Sequence, residues 1–224
     1  MAADPEDETV PRALPQRHAG IPATPLTPLG GYAPLRRFWL YWMRDHAIVR
    51  AVLPNTYRVD DMLWRGGHPG RVQLTRLKAR GIATILNLRG GGDNVANATE
   101  RALCAELDLP LLHLEMQASA LPRREVVQDL LTILRDAPKP IFVHCKSGAD
   151  RTALAVTLYL HVIRGEPLAE ARRAFSWRYG HIRRGKARVL HRFLDAYAAE
   201  HAATGIGFED WLATSYDRAA LSRR

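Results

Sequence analysis

The chain has 224 residues but only two cysteines, Cys104 and Cys145, which excludes a secreted scaffold held together by several disulfides. Neither cysteine lies in a CxxC or Cys/His ligand pattern, so the sequence does not support a metal site, and we expect no cofactor. The sequence also lacks any apolar run near the roughly 20 residues that cross a membrane. These absences indicate a soluble protein whose two thiols are free.

The N-terminus lacks the basic start and the apolar core of a secretory signal peptide, and is instead acidic and rich in proline. We therefore expect a cytoplasmic protein, in a reducing compartment that suits a reactive thiolate. Residues 1–34 are predicted to form a disordered leader, and residues 35–54 an amphipathic helix. Residues 55–224 are predicted to form a single domain, which is long enough to bury a sizeable core.

Acidic residues are in the minority, because 32 lysines and arginines outnumber 23 aspartates and glutamates and give a formal charge of +9. The excess is strongest over residues 164–192, which contain nine basic and two acidic residues. Such a charge favours an anionic partner, namely a phosphorylated protein, an acidic lipid or an anionic small molecule. No recognised nucleic-acid-binding motif is present, so we expect no nucleic-acid partner.

An apolar segment that begins at Phe38 and ends at Met43 is flanked by arginines. It is short, so we expect the helix that contains it to pack onto the domain as a brace. The alternative is a weak contact with a membrane surface, which would make the protein peripherally membrane-associated.

Short apolar strands alternate with helical patterns along the chain, which is typical of a parallel sheet covered by helices. Strands are predicted at residues 57–59, 62–65, 83–88, 111–116 and 141–144. Helices are predicted at residues 72–80, 99–107, 122–136, 152–163, 168–178, 187–201 and 208–221. We therefore predict an α/β fold: a single domain with a central, mainly parallel sheet of four to five strands, flanked by helices on both faces.

One loop combines the residue types that phosphoryl transfer needs. Cys145 and Arg151 lie six residues apart, between an apolar strand and an apolar helix. A loop that enters a helix N-terminus turns backbone N–H groups towards a bound anion, and Gly148 allows the tight turn. The helix dipole and Arg151 are expected to lower the pKa of Cys145, so that its thiolate can attack phosphorus. Arg151 can hold two phosphate oxygens with its planar guanidinium, and Thr152 can donate its hydroxyl to the sulfur.

The segment HCKSGADRT, residues 144–152, resembles the HCx5R(S/T) signature of the protein tyrosine phosphatase and dual-specificity phosphatase superfamily. The upstream stretch LWRGGHP…LKARGIATILNLRG is similar to small bacterial members of that superfamily. The resemblance implies Cys145 as the nucleophile, Arg151 as the phosphate clamp and Thr152 as the aid to the leaving thiol, with His144 supporting the loop. The loop residues predicted to bind substrate are Lys146, Ser147, Gly148, Ala149 and Thr152. Lys146 is included because its positive charge at the mouth of the loop can contact a second phosphate or a lipid head group.

The sequence departs from the superfamily at the general acid. Most members carry an aspartate on a separate loop after the fourth strand, and here that region, HLEMQASALP, offers only Glu115. Asp150 stands beside Arg151 in the phosphate loop and resembles the loop aspartate of myotubularin-type phosphatases, within reach of the leaving oxygen. We predict Asp150 as the general acid, with Glu115 and Asp93 as alternatives.

The predicted function is therefore a metal-independent phosphatase, whose catalytic domain is residues 55–224. It is expected to hydrolyse phosphomonoesters on tyrosine, serine or threonine of proteins through a phosphocysteine. The alternatives are a phosphoinositide or phospholipid phosphatase with the same mechanism, and a non-catalytic phosphate-binding module. Cys104 is expected to be a small buried apolar residue without a chemical role.

Overall fold

The computed structural model describes residues 55–92, 94–182 and 187–223. Its centre is a five-stranded sheet with the strand order β1-β2-β5-β3-β4. The strands are β1 (Thr56–Arg58), β2 (Leu63–Gly66), β3 (Thr84–Asn87), β4 (Leu111–His113) and β5 (Ile141–His144). β1 pairs antiparallel with β2, and the other neighbours pair in parallel. The predicted α/β class with a mainly parallel sheet is confirmed, whereas the predicted leader and the helix at residues 35–54 lie outside the described residues.

Helices and helical turns connect the strands and follow the last one. The α-helices are α1 (Arg71–Ala79), α2 (Val95–Glu106), α3 (Arg124–Asp136), α4 (Arg151–Leu158), α5 (Leu168–Ala171), α6 (Arg188–Thr204), α7 (Phe208–Asp210) and α8 (Arg218–Ser222). Two π-helical turns, Tyr159–Ile163 and Trp211–Ser215, continue α4 and α7. Two 3₁₀-helical turns, Arg172–Ala174 and Trp177–Tyr179, lie between α5 and α6. No helix in the described ranges is both long and apolar enough to span a membrane.

Two predicted helices are interrupted in the structure. The helix predicted at residues 168–178 breaks after Ala174, and the Ser176 side chain accepts a hydrogen bond from the N–H of Arg178. The helix predicted at residues 208–221 breaks before α8, where Asp217 accepts from the N–H of Ala220. In both places a short polar side chain bonds to the backbone, which favours a new helical turn over continuation of the old one.

The two faces of the sheet carry separate apolar cores. The smaller core packs α1 and α2 against one face, and the larger core covers the other face with α3, α4, α6 and the C-terminal helices. Because side chains alternate along a strand, Phe142 of β5 enters the smaller core while Ile141 and Val143 enter the larger one. The same alternation carries Cys145 to the larger core and places His144 on the side of α2.

Candidate active site

The Cys145 loop, residues 145–150, connects the end of β5 to the start of α4 at the carboxyl edge of the parallel strands. β5 is the central strand, so the segments that follow β2 and β3 flank the loop on both sides. This edge of an α/β sheet is where ligands bind in such folds. The side chain of Cys145 is 2% exposed, and Arg151 is half-buried at the first position of α4.

The environment of Cys145 favours the thiolate. Complete burial by itself raises the pKa of the thiol, but the charge of Arg151 opposes it. The Thr152 hydroxyl and the backbone N–H groups of Thr152 and Gly148 also donate to the sulfur, and the net result is a lowered pKa of Cys145. The predicted direction of the shift is therefore confirmed, and the donors around the sulfur can also donate to a bound oxyanion.

Arg151 is held by the loops that follow β3 and β4. Its Nη1 donates to the carbonyl oxygens of Met116 at 3.2 Å and, more weakly, of Leu88 at 3.4 Å. Its Nε is buried and makes no hydrogen bond with any described residue. A buried guanidinium donor without a partner is unusual, and a phosphate oxygen would satisfy it.

The Cys145 loop is bound tightly to the end of β2. Gly148 has a φ of +78°, and a Cβ atom there would lie 2.6 Å from the backbone of Gly66, so only glycine fits. The buried Arg65 donates from Nη2 to the Gly148 oxygen at 2.9 Å, and Asn55 donates from Nδ2 to the Ser147 oxygen at 2.6 Å. Because these carbonyls bond to groups outside the loop, the N–H of Gly148 is left to point inwards. It donates to the sulfur together with the N–H of Thr152 in α4.

Two further loop residues occupy different surroundings. Lys146 is half-buried, and its carbonyl oxygen accepts from the backbone N–H of His68 at 3.2 Å. Ala149 is buried, 4% exposed. Both therefore help to shape the Cys145 loop through the backbone and packing as well as through any substrate contact.

Arg65 links the Cys145 loop to the segment after α5 through hydrogen bonds. Its Nη1 donates to the Ala174 oxygen at 2.9 Å, and its guanidinium lies 3.8 Å from the centre of the Tyr179 ring. Burial lowers the pKa of Arg65 to about 10, opposed by Tyr179 and Cys145, so the residue remains a cation at neutral pH. A positive charge is thus fixed behind the loop.

His144 supports the loop from the opposite side of the sheet. Its Nε2 lies 2.8 Å from Oε1 of Glu100, a fully buried residue of α2, and its Nδ1 lies 3.3 Å from the Cys145 carbonyl oxygen. Asn87 donates to the other carboxylate oxygen at 2.6 Å. Burial raises the pKa of Glu100, but the charges of His144 and His68 and the hydrogen bonds donated by His144 and Asn87 outweigh burial and lower the pKa to about 2. An ionised carboxylate therefore anchors the histidine that precedes the nucleophile.

The residues His68, Glu100 and His144 have the side-chain chemistry of metal ligands and lie close together. Oε2 of Glu100 accepts a hydrogen bond from Asn87, and Oε1 lies 2.8 Å from Nε2 of His144. The carboxylate thus faces two protein side chains, and we interpret this cluster as a structural network that holds His144.

Asp150 has an unexpected partner. Its Oδ1 lies 2.7 Å from Nδ1 of His181, and Nε2 of His181 lies 2.8 Å from Nε2 of His191 on α6. The Asp150 side chain keeps 30% of its surface exposed, whereas that of His181 is almost fully enclosed. The loop aspartate is thus anchored on one side and reachable from the other.

The two alternative acids, Glu115 and Asp93, lie outside the Cys145 loop. Glu115 is exposed, forms an isolated β-bridge with Arg89 through the backbone, and makes no side-chain hydrogen bond within the described ranges. Its neighbour Met116 does contact Arg151, so Glu115 stands at the border of the site. Asp93 lies outside the described residues.

Several residues that shape the site were not singled out from the sequence: Asn55, Glu100, His181 and His191. A signal exists for Glu100, because an acidic residue on the face of α2 that also carries Leu103 and Cys104 must be buried. His181 and His191 have no local signal, since they meet Asp150 only through the irregular path of the chain between α5 and α6.

Solved structures share this fold. P. aeruginosa TpbA aligns with a TM-score of 0.54 and 21% sequence identity, over 75% of this chain and 91% of that one. A DUF442 protein from Shewanella putrefaciens CN-32 aligns with a TM-score of 0.53 and 18% identity, over 65% of this chain and 90% of that one. No curated protein matches the chain.

A family model described as "DSP-PTPase phosphatase fused to NAD+ Kinase" matches residues 53–187. The matched region contains the whole sheet, the Cys145 loop and His181. Since it covers more than half of the chain, the protein belongs to this family of phosphatases, within the protein tyrosine and dual-specificity phosphatase superfamily.

Proposed function

We propose that the protein hydrolyses phosphate monoesters through a phosphocysteine formed on Cys145. The observation that carries the proposal is the placement of Cys145: the thiol is buried, the N–H groups of Gly148 and Thr152 donate to it, and the nearby charge of Arg151 lowers its pKa. A buried thiolate that is stabilised in this way is a nucleophile, and the donors around it match a phosphate anion.

The reaction has two balanced steps. In the first, the Cys145 sulfur forms a bond to phosphorus while the phosphorus–oxygen bond to the leaving group breaks, and Asp150 gives a proton to that oxygen. In the second, a water oxygen attacks phosphorus, the sulfur–phosphorus bond breaks, and Asp150 takes a proton from the water. Arg151 holds the equatorial oxygens throughout, and the Thr152 hydroxyl stabilises the departing thiolate. Phosphate leaves, and the Cys145 thiolate is restored.

We propose Asp150 rather than Glu115 as the acid because its position is fixed. One oxygen of Asp150 is bonded to His181, while the partly exposed side chain adjoins Arg151 in the loop. Glu115 has no such anchor among the described residues. A proton donor works best when it is held within hydrogen-bond reach of the leaving oxygen.

The proposed substrates are phosphorylated proteins, with phosphoinositides or other phospholipids as the alternative. A variant of TpbA was crystallised in complex with pTyr, and that fold matches this chain with a TM-score of 0.54. Trp177 and Ile182, which are 87% and 71% exposed, lie on the segment that includes Tyr179, and Asn55 links Tyr179 to the Cys145 loop. An apolar rim beside a phosphate site suits the aromatic ring and flanking residues of a phosphopeptide.

The central experiment compares Cys145→Ser with Cys104→Ser. Serine at 145 should lower kcat for p-nitrophenyl phosphate by about 10⁴-fold or more, as expected for loss of a catalytic nucleophile, and should keep vanadate binding. Cys104→Ser should keep turnover. Retained turnover by Cys145→Ser would exclude a phosphocysteine, and a wild-type protein that binds vanadate without turnover would indicate a non-catalytic module.

The same assay separates the two candidate acids. Asp150→Asn should flatten the pH dependence of kcat/KM, whereas Glu115→Gln should leave it unchanged. The reverse result would move the assignment to Glu115. A panel of phosphotyrosine, phosphoserine and phosphothreonine peptides beside phosphoinositide micelles then identifies the substrate class from the ratio of kcat/KM values.

A further inference from the structure

A chain of three side chains links the Cys145 loop to α6. His181 stands between Asp150 and His191, with nitrogen–oxygen and nitrogen–nitrogen distances of 2.7 and 2.8 Å. The ring of Phe175 packs against both imidazoles, with centroid distances of 4.9 Å to His181 and 4.6 Å to His191. His181 is therefore held by contacts on three sides, and both of its nitrogens are used.

The short distance between the two imidazoles limits where protons can sit. One of the facing Nε2 atoms must donate and the other must accept, so a single proton lies between the rings. At the other nitrogen, Nδ1 of His181 lies 2.7 Å from Oδ1 of Asp150, and a carboxylate oxygen accepts hydrogen bonds. His181 Nδ1–H therefore donates to Oδ1 of Asp150.

This hydrogen bond makes the two oxygens of Asp150 different. Oδ1 is fixed as an acceptor for His181, and within the described residues no hydrogen bond involves Oδ2. When Asp150 is protonated, the proton is therefore placed on Oδ2. The exposed part of the side chain gives a leaving oxygen access to that proton.

We propose that His181, supported by His191, is a positioning residue that orients Asp150 for proton transfer during cleavage of the phosphate ester. This inference rests on the proposed function, because it assigns no task to His181 apart from the acid. The titratable groups that contact the His181 ring in the described part of the chain are Asp150 and His191. His181 acts through Asp150 and does not touch the reacting atoms.

The test compares substrates with good and poor leaving groups. A lost proton donor matters little when the leaving group is p-nitrophenolate and much more when it is the more basic phenolate. kcat/KM, which reports cleavage of the phosphorus–oxygen bond, is measured for p-nitrophenyl phosphate and for phenyl phosphate with the wild type, His181→Leu, His181→Asn and Asp150→Asn. Asparagine keeps an N–H donor close to the position of Nδ1, whereas leucine has none.

A matched control is available in His161. This histidine is also bonded at both nitrogens, to the Glu166 oxygen at 2.8 Å and to the Tyr197 hydroxyl at 2.9 Å, but no contact links it to the Cys145 loop in the described ranges. His161→Leu therefore reports the cost of removing a doubly bonded, partly buried histidine from the fold. Any change that it causes should be the same for both substrates.

His181→Leu should lower kcat/KM for phenyl phosphate by about 10- to 100-fold and for p-nitrophenyl phosphate by no more than about threefold. Asp150→Asn should lower kcat/KM further, and again more for phenyl phosphate than for p-nitrophenyl phosphate. His181→Asn should recover most of the loss seen in His181→Leu. The role of His181 alone would be overturned if His181→Leu lost the same kcat/KM on both substrates, or lost none, while Asp150→Asn still affected phenyl phosphate more than p-nitrophenyl phosphate. If Asp150→Asn itself shows no selectivity, the assignment of the acid fails, and the role of His181 fails with it.

Discussion

Cys104 and Cys145 are equally hidden from solvent, at 1% and 2% exposure, yet their surroundings have opposite effects on the thiol. Burial and the nearby charge of Glu100 raise the pKa of Cys104 to about 12. At Cys145 burial acts in the same direction, but the charge of Arg151 and the donated hydrogen bonds reverse the result and lower the pKa. Burial alone therefore does not determine whether a thiol is reactive.

The difference follows from where each cysteine lies in its element. Cys104 is inside α2, one turn after Glu100, where the backbone N–H groups are already used by the helix. Cys145 precedes α4, and the first N–H groups of a helix have no partner within it. The N–H of Thr152 is one of these, and it donates to the Cys145 sulfur. The start of a helix thus supplies donors that its interior cannot supply.

The largest difference between Cys145 and Cys104 is expected in their rates of alkylation by iodoacetate. The pKa of Cys104 is about 12 and that of Cys145 is lowered from 9.0. At neutral pH the thiolate form of Cys145 should therefore be at least about 10³-fold more abundant than that of Cys104. After allowance for the lower nucleophilicity of a less basic thiolate, Cys145 should react at least about 30-fold faster. Inorganic phosphate should protect Cys145 and leave Cys104 unaffected. The modified peptides are counted by mass spectrometry.

Urea provides the control, because unfolding removes both environments. In the unfolded chain the two cysteines should react at similar rates, which would show that the fold creates the difference. Faster reaction of Cys104 in the folded protein would contradict the comparison between the two sites.

A smaller difference is expected between two buried threonines of α4. The Thr152 hydroxyl donates to Cys145 and also makes a long contact, 3.5 Å, with the carbonyl oxygen of Gly66. Thr157 donates instead to the carbonyl oxygens of Ala153 and Ala171. Thr152→Val should raise the pKa of Cys145 and lower kcat about 10-fold, because a hydrogen bond to a charged sulfur is lost. Thr157→Val should lower the free energy of unfolding by about 1 kcal/mol and leave kcat unchanged. The pH dependence of iodoacetate inactivation gives the shift of the Cys145 pKa directly.

Both threonines are 0% exposed, so the two valine variants share the same change of volume and the same loss of a hydroxyl. Equal effects on kcat would mean that the Thr152 hydroxyl acts only through stability. That result would also remove its proposed part in the second step.

The central loop could be predicted from the sequence because its signals are local. Ile141–His144 is a run of residues that are buried on both faces, and the strand has the predicted bounds. The spacing from Cys145 to Arg151 is also a local signal, because both residues belong to one short segment that must surround a single phosphate. Gly148 is required by a clash that a side chain would make with Gly66, although the sequence shows only that a turn is favoured.

The remaining parts of the site depend on contacts between distant segments. Glu100 reaches His144 from another helix, and His181 reaches Asp150 across 31 positions of the chain. The helical spacing of Glu100 indicates that it is buried, but no pattern in the sequence identifies His144 as its partner or joins His181 to Asp150. The break after Ala174, which the helical pattern of residues 168–178 did not indicate, is also what brings His181 to the loop.

The last difference is one of stability and concerns Glu100, which lies close to Cys104 and also anchors His144 beside Cys145. Its pKa is lowered from 4.5 to about 2, so the ionised carboxylate stabilises the fold above pH 4.5, and this contribution is lost as the pH falls towards about 2. Glu100→Gln should therefore be less stable than the wild type near neutral pH, by roughly 2–3 kcal/mol, and should lose less stability between pH 4.5 and 2. Glu106→Gln is the matched control, because Glu106 pairs with Arg71 on an exposed part of the same helix and its loss should change the urea midpoint little. If Glu100→Gln and the wild type lose stability in parallel over this range, the buried carboxylate is not what keeps His144 in place behind the nucleophile.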